Sequence, residues 1–192
     1  MTISTVDVPE PFADIFRRAE EYARQYFGAL KHRPECGTLE ISGERYILIR
    51  AAAMSVEFTD LLIGIYHEGS ESEGRQLAAN LLFDLGHAFG KSDARHFHAH
   101  MGITDPVERL SIGPVQFAFS GWASVKIDAS SRVMANENYY LLYEHPFSFE
   151  ADSWIRRQRL ATQPVCAMNA GYSSGWCEES FGVPLSAVEI MC

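Results

Sequence analysis

Pro164-Val165-Cys166-Ala167-Met168-Asn169-Ala170-Gly171-Tyr172-Ser173-Ser174-Gly175-Trp176-Cys177-Glu178 runs on through Phe181-Gly182 to Glu189-Ile190-Met191-Cys192, where the chain stops. Cys166 to Glu178 reads as a helix presenting two large rings, Tyr172 and Trp176, and Pro184 to Met191 reads as a strand. Thiols and a carboxylate bracket this Gly-rich aromatic segment. Zinc takes thiolate, imidazole and carboxylate ligands in a tetrahedron. Cys166, Glu189 and Cys192 supply three such donors, and a fourth is missing. A chain ending on a candidate ligand leads us to expect a piece of a longer protein.

Upstream, Asp14 to Leu30 has Ile15, Ala19, Tyr22, Ala23, Tyr26 and Phe27 at helical spacing, with Arg and Glu between them. Gly37 to Ile41 and Arg45 to Ile49 flank Ser42-Gly43-Glu44 and predict a strand pair about a tight turn. Ala51 to Tyr66 is helical in pattern, and so is Gly74 to Ala88, with Leu77, Leu81, Leu82, Leu85 and Ala88 expected on its buried side. Trp122 to Ile127 and Tyr139 to Glu144 are rich in β-branched and aromatic residues and read as strands. Phe149 to Leu160 reads as a helix. Helices interleaved with antiparallel hairpins predict an α+β fold, an antiparallel sheet flanked by helices.

The composition narrows the function. A chain of 192 residues builds one well-buried core. A formal charge of -9 argues against nucleic-acid contact by this segment, because phosphate binding needs clustered Lys and Arg. No apolar run approaches the about 20 residues that span a bilayer. The first residues lack the basic start and apolar centre of a secretion signal. Cys36, Cys166, Cys177 and Cys192 show no disulfide-framework spacing, so a reducing, cytoplasmic setting is expected. There is no Gly-rich phosphate loop, nucleophile elbow or Cys/His dyad. The sequence supplies no catalytic set.

Several short motifs, in order, resemble a known family. Gly43-Glu44-Arg45-Tyr46-Ile47-Leu48, Gly86-His87-Ala88-Phe89-Gly90-Lys91-Ser92-Asp93-Ala94, Gly113-Pro114-Val115-Gln116 and Ser148-Phe149-Glu150-Ala151 are similar to the amino-terminal sensor of XylR/DmpR-type aromatic-responsive transcription activators. The Cys166 to Cys192 segment looks like the end of a vinyl-reductase-type small-molecule-binding domain. The resemblance implies an amino-terminal helical segment (1–36) before a sensor domain (37–192), and a homodimer formed through the amino-terminal helix and the Gly37 to Ile49 hairpin. It also implies an output domain in the full-length protein and a structural zinc on Cys166, Glu189 and Cys192.

It further implies an aromatic effector held between a central sheet and the helix with the Gly-Tyr motif. The family hydrogen-bonds the effector hydroxyl with a His on a strand after Gly-Pro and a Trp before Ser-Phe-Glu-Ala. Phe117 stands at the first position and His145 at the second. Phe117, Phe119, Trp122, Tyr143, His145, Phe147, Met168, Tyr172 and Trp176 are the candidate ligand-binding residues, lining a cavity of several hundred Å³. For most of these rings ordinary core packing is the competing reading. His96, His98 and His100 would share one face of a strand, but the resemblance implies a helix there, and a solvated helical end is expected. Two other functions remain: a tetrapyrrole-related vinyl-reductase-type enzyme or accessory protein, and an assembly module with a filled interior.

Overall fold

The computed structural model describes residues 3–66 and 70–192, and it is α+β. The backbone follows β1 (Val6–Asp7), α1 (Ala13–Gly28), β2 (Leu30–Arg33), β3 (Thr38–Ile41), β4 (Glu44–Tyr46), α2 (Val56–Ile65) and α3 (Glu71–Met101). It continues through α4 (Pro106–Phe119), β5 (Val125–Ile127), β6 (Tyr143–Glu144), α5 (Phe149–Arg156) and α6 (Ala167–Phe181). Two three-stranded sheets form in place of one central sheet: β2-β3-β4 is antiparallel throughout, whereas β5 pairs parallel with β1 and antiparallel with β6. Ser42 (φ 51) and Gly43 (φ 92) make the two-residue β3–β4 turn, whose positive φ values match the twist of the flanking strands.

Helix α3 begins with a reciprocal cap. The Glu73 amide donates to Ser70 Oγ while the Ser70 amide donates to the Glu73 carboxylate. It ends at Gly102 in the left-handed conformation (φ 65). Its buried stripe is Gly74, Ala78, Leu82, Gly86, Gly90, Ala94 and Phe97; Leu81 is exposed, as is Ala88. Small residues win over leucines because α3 meets α6 backbone to backbone. A Cβ at Gly86 or Gly90 would overlap the carbonyl oxygen of Met168 or Tyr172, and one at Gly171 or Gly175 would overlap that of Phe83 or His87.

The core gathers Phe16, Ala19, Ala23 and Tyr26 of α1 with Leu110, Ile112, Val115 and Phe117 of α4, Phe97 of α3, and Tyr172 and Trp176 of α6. Residues on both sides of the expected 36/37 boundary share this core, and the β2–β3 ladder crosses that boundary. Glu20, nearly buried, accepts hydrogen bonds from Ser4 and Thr5 and so ties the leading segment to α1.

Three expectations change. Pro184 to Met191 forms no strand: Val188 and Ile190 are exposed, and no strand edge among the described residues pairs with them. Phe117 lies on helix α4, because Asp105 caps that helix through the Val107 and Glu108 amides with Pro106 in its first turn. The helix then continues through Gly113-Pro114. His98 is buried within α3, its Nε2 donating to the Arg109 carbonyl at 3.1 Å, rather than lying on a solvated end.

Candidate functional site

A cavity of about 40 Å³ lies between α4, β5, the β6 strand with its flanks, and α6. Each wall presents one face at the period of its element. Leu110, Pro114 and Phe117 come from α4, Val125 and Ile127 from β5, Leu141, Tyr143 and His145 from the β6 segment, and Ser173, Trp176 and Cys177 from α6. Of the nine expected residues, Phe117, Tyr143, His145 and Trp176 line it. Leu110, Pro114, Val125, Ile127, Leu141, Ser173 and Cys177 were not anticipated. Extending the period from the four that were, by two on the strands and by three or four on the helices, reaches most of them.

The other five are elsewhere. Trp122 and Tyr172 pack with Phe117 in a ring cluster, with centroids 4.7 Å apart for Trp122–Tyr172 and Phe117–Tyr172. The Tyr172 hydroxyl is engaged with Asp93 Oδ2 at 2.7 Å and Gln116 Oε1 at 2.9 Å. Phe119, the last residue of α4, stacks on Phe27 (5.4 Å). Met168 is buried where α6 crosses Gly86. Phe147 is 90% exposed, with φ 60. The turn at Pro146, whose carbonyl accepts from the Ser124 amide and hydroxyl, throws it outward.

The polar features of the cavity are few. His145 Nε2 is sealed from solvent and has no hydrogen-bond partner among the described residues. Its ring meets Phe117 edge-on (centroids 5.3 Å, 81°) and Tyr143 at 4.9 Å. Burial pushes the imidazole down to about 4, so it is neutral at pH 7. Burial pushes the Tyr143 phenol up, and the Cys177 thiol up to about 11, so both stay protonated. The wall is therefore uncharged, ring-lined and short of one hydrogen bond.

The XylR amino-terminal-region family, described as "Activator of aromatic catabolism", matches residues 27–131. The chain belongs to that family of aromatic-catabolism activators. The crystal structure of the phenol-responsive sensory domain of the transcription activator PoxR with phenol has a similar fold, with a TM-score of 0.67 and 20% identity over 91% of this chain and 80% of that one. No curated protein sequence matches. In this member of the activator family, no helix among the described residues is long and apolar enough to cross a membrane.

A second cluster sits at the start of α6. The ligating atoms of Cys166, Glu189 and Cys192 lie within 4.8 Å of one another, with Cys166 buried and Cys192 exposed. Tetrahedral zinc with about 2.3 Å Zn–S bonds sets ligand atoms about 3.8 Å apart, so this donor set fits the ion after a small contraction. The Cys166 amide donates to Glu189 Oε2 at 2.8 Å, and the Cys166 thiol contacts Ser148 Oγ at 3.2 Å. Glu150 acts on the same helix start: its carboxylate accepts from the Met168 amide (3.0 Å) and the Asn169 amide (2.8 Å), satisfying two free N–H groups of α6. Burial still pushes Glu150 up to about 8.

Proposed function

We propose that the chain is a ligand-sensing regulatory domain that binds a small, single-ring aromatic or apolar molecule beside His145. The observation that carries this reading is the partnerless, neutral His145 nitrogen in an otherwise apolar, ring-lined cavity. A buried polar atom without a partner costs about 1–3 kcal/mol, and a guest bearing one hydroxyl recovers that cost. Membership of a family of aromatic-catabolism activators, and a fold shared with a phenol-responsive domain, support the same class of guest.

The volume adds a condition. A cavity of about 150 Å³ accommodates benzene, and this one measures about 40 Å³, well below the several hundred expected. A ring enters only as the walls move apart, which is the differential affinity between two arrangements that a sensor needs. The same size argues against a tetrapyrrole, and the existing void argues against a purely structural interior. The role is binding without turnover, in the cytoplasm, with occupancy passed to an output domain that regulates transcription.

Two further features belong to the reading. Cys166, Glu189 and Cys192 would hold a structural zinc, which would fix the chain after α6 to the start of that helix. A homodimer is supported by Ile47, Leu48 and Ile49, exposed by 73%, 83% and 53% next to the β3–β4 hairpin. Calorimetric titration with phenol, o-cresol and toluene tests the function. Saturable binding at one guest per chain is expected, with the hydroxylated rings favoured about tenfold, and His145→Ala should abolish that preference in a folded protein. Absence of binding by all three rings would overturn the proposal.

A further inference from the structure

A cleft of about 330 Å³ lies among Arg95 and His98 of α3, Thr104 of the following turn, Arg109 of α4 and Glu179 of α6, next to the ring-lined cavity but sharing none of its lining residues. Both guanidinium groups in it are already anchored. Arg95 Nε donates to Glu179 Oε2 at 2.9 Å, and Arg109 Nε donates to the Ile103 carbonyl at 3.0 Å. Arg109 is half-buried and has no carboxylate partner among the described residues, so its two terminal NH₂ groups are left without an ion pair. Nearby acids are engaged elsewhere: Glu108 pairs with Arg18, and Asp105 caps α4. His98 is buried at the base, where its imidazole stays neutral.

The charge count selects the guest. Two guanidiniums against one carboxylate leave a single positive charge, which suits a monoanion and disfavours a dianion beside Glu179. A planar carboxylate takes two parallel bonds from a guanidinium fork, and Ala99 and Ile103 offer apolar surface to a short organic tail. We propose that this cleft is a second ligand site, which takes a small organic monocarboxylate on Arg109 with help from Arg95. Pre-anchored side chains lower the ordering cost of binding.

The site has a built-in reporter. The Arg109 carbonyl accepts from both His98 Nε2 and Trp176 Nε1, each at 3.1 Å, while Trp176 and Leu110 line the ring-lined cavity. A carboxylate that pulls on Arg109 therefore perturbs the Trp176 indole.

The test is an NMR titration of the 192-residue chain with sodium acetate and sodium propionate, which carry no ring to enter the other cavity. Saturable shifts of the Trp176 Nε1–H and of the Gly102 and Thr104 amides are expected, with sodium sulfate, a dianion at neutral pH, at least tenfold weaker. Arg109→Gln should weaken binding tenfold or more, Arg109→Lys should recover part of it, and the more exposed Arg95→Gln should cost several-fold. Shifts reproduced by equal sodium chloride, or wild-type affinity in both Gln variants, would overturn the proposal. Phenol binding has no part in the readout, so this result is independent of the aromatic-sensing reading.

Discussion

Replacing His145 with leucine should make the protein more stable and less able to discriminate its guest. Burial lowers the imidazole from its usual value near 6.5 to about 4. Above pH 6.5 the ring is neutral in folded and unfolded chains alike, and the shift contributes nothing. As the pH falls from 6.5 to 4, the unfolded chain takes up a proton that the folded chain refuses, so stability is lost across that window. The difference of about 2.5 units corresponds to about 3 kcal/mol by pH 4. At pH 7 a separate gain arises, because leucine removes the unpartnered Nε2 atom, worth about 1 kcal/mol at the low end of the range for such groups.

Urea unfolding of both proteins between pH 4 and 7 measures the two effects together. Asp93 and His98 also have shifted titrations, but they are common to both proteins and cancel in the difference. The variant should be about 1 kcal/mol more stable at pH 7 and about 4 kcal/mol more stable at pH 4. Parallel curves for the two proteins would refute the burial of His145 as argued, and a less stable variant at pH 7 would refute the unpartnered nitrogen.

Gly171→Ala should cost about 3 kcal/mol or more in chemical unfolding, since its methyl has only the Phe83 carbonyl to displace, whereas Gly28→Ala at the open end of α1 should gain about 0.5 kcal/mol. Elemental analysis should find close to one zinc per chain, falling in Cys166→Ala, and a chelator should lower the melting temperature of the wild type by several degrees more than that of the variant. Leu48→Asp should convert a dimer to monomers in sedimentation without shifting the melting temperature of the monomer. In hydrogen exchange, phenol should alter protection in α1 and α4 and leave the α3–α6 contact unchanged.

Legibility followed local signal. The α1 periodicity, the Ser42-Gly43 turn and the Cys166–Glu178 helix could be read because spacing, φ preference and Gly/Pro punctuation agree there. On α3 hydrophobicity points to Leu82, which is buried, but also to Leu81 and Ala88, which are exposed, and it passes over Gly86 and Gly90. Whether Gly86 and Gly90 are weak spots or contact points depends on Gly171 and Gly175, some eighty residues away. The strand expected at Phe117 comes from the resemblance, which puts that position on a strand after Gly-Pro. A proline in mid-helix is tolerated when tertiary packing outweighs the lost hydrogen bond, and α4 packs against both α1 and α6. Phe147 could not be told from the core rings, because its outward direction is set by a positive φ at a turn whose partner, Ser124, lies in another segment.

Which wall yields to a guest follows from the same packing. Helices α3 and α6 touch through their backbones at four glycines, so separating them or sliding one along the other breaks contacts that no side-chain rotation restores. They behave as one body, and Ser173, Trp176 and Cys177 form a fixed floor. The opposite walls, α4 and the short β5–β6 pair, are joined to that floor by side chains, which can repack. A ring pressing on Leu110, Pro114 and Phe117 would therefore move α4. Helix α1 is packed on α4 and linked to it through Arg18 and Glu108, so it must follow. From α1 the chain passes directly into β2 and the hairpin beside Ile47, Leu48 and Ile49. A displacement that made room for one ring would thus reach the exposed apolar stretch Ile47 to Ile49, and would leave in place the helix pair that carries the candidate zinc site.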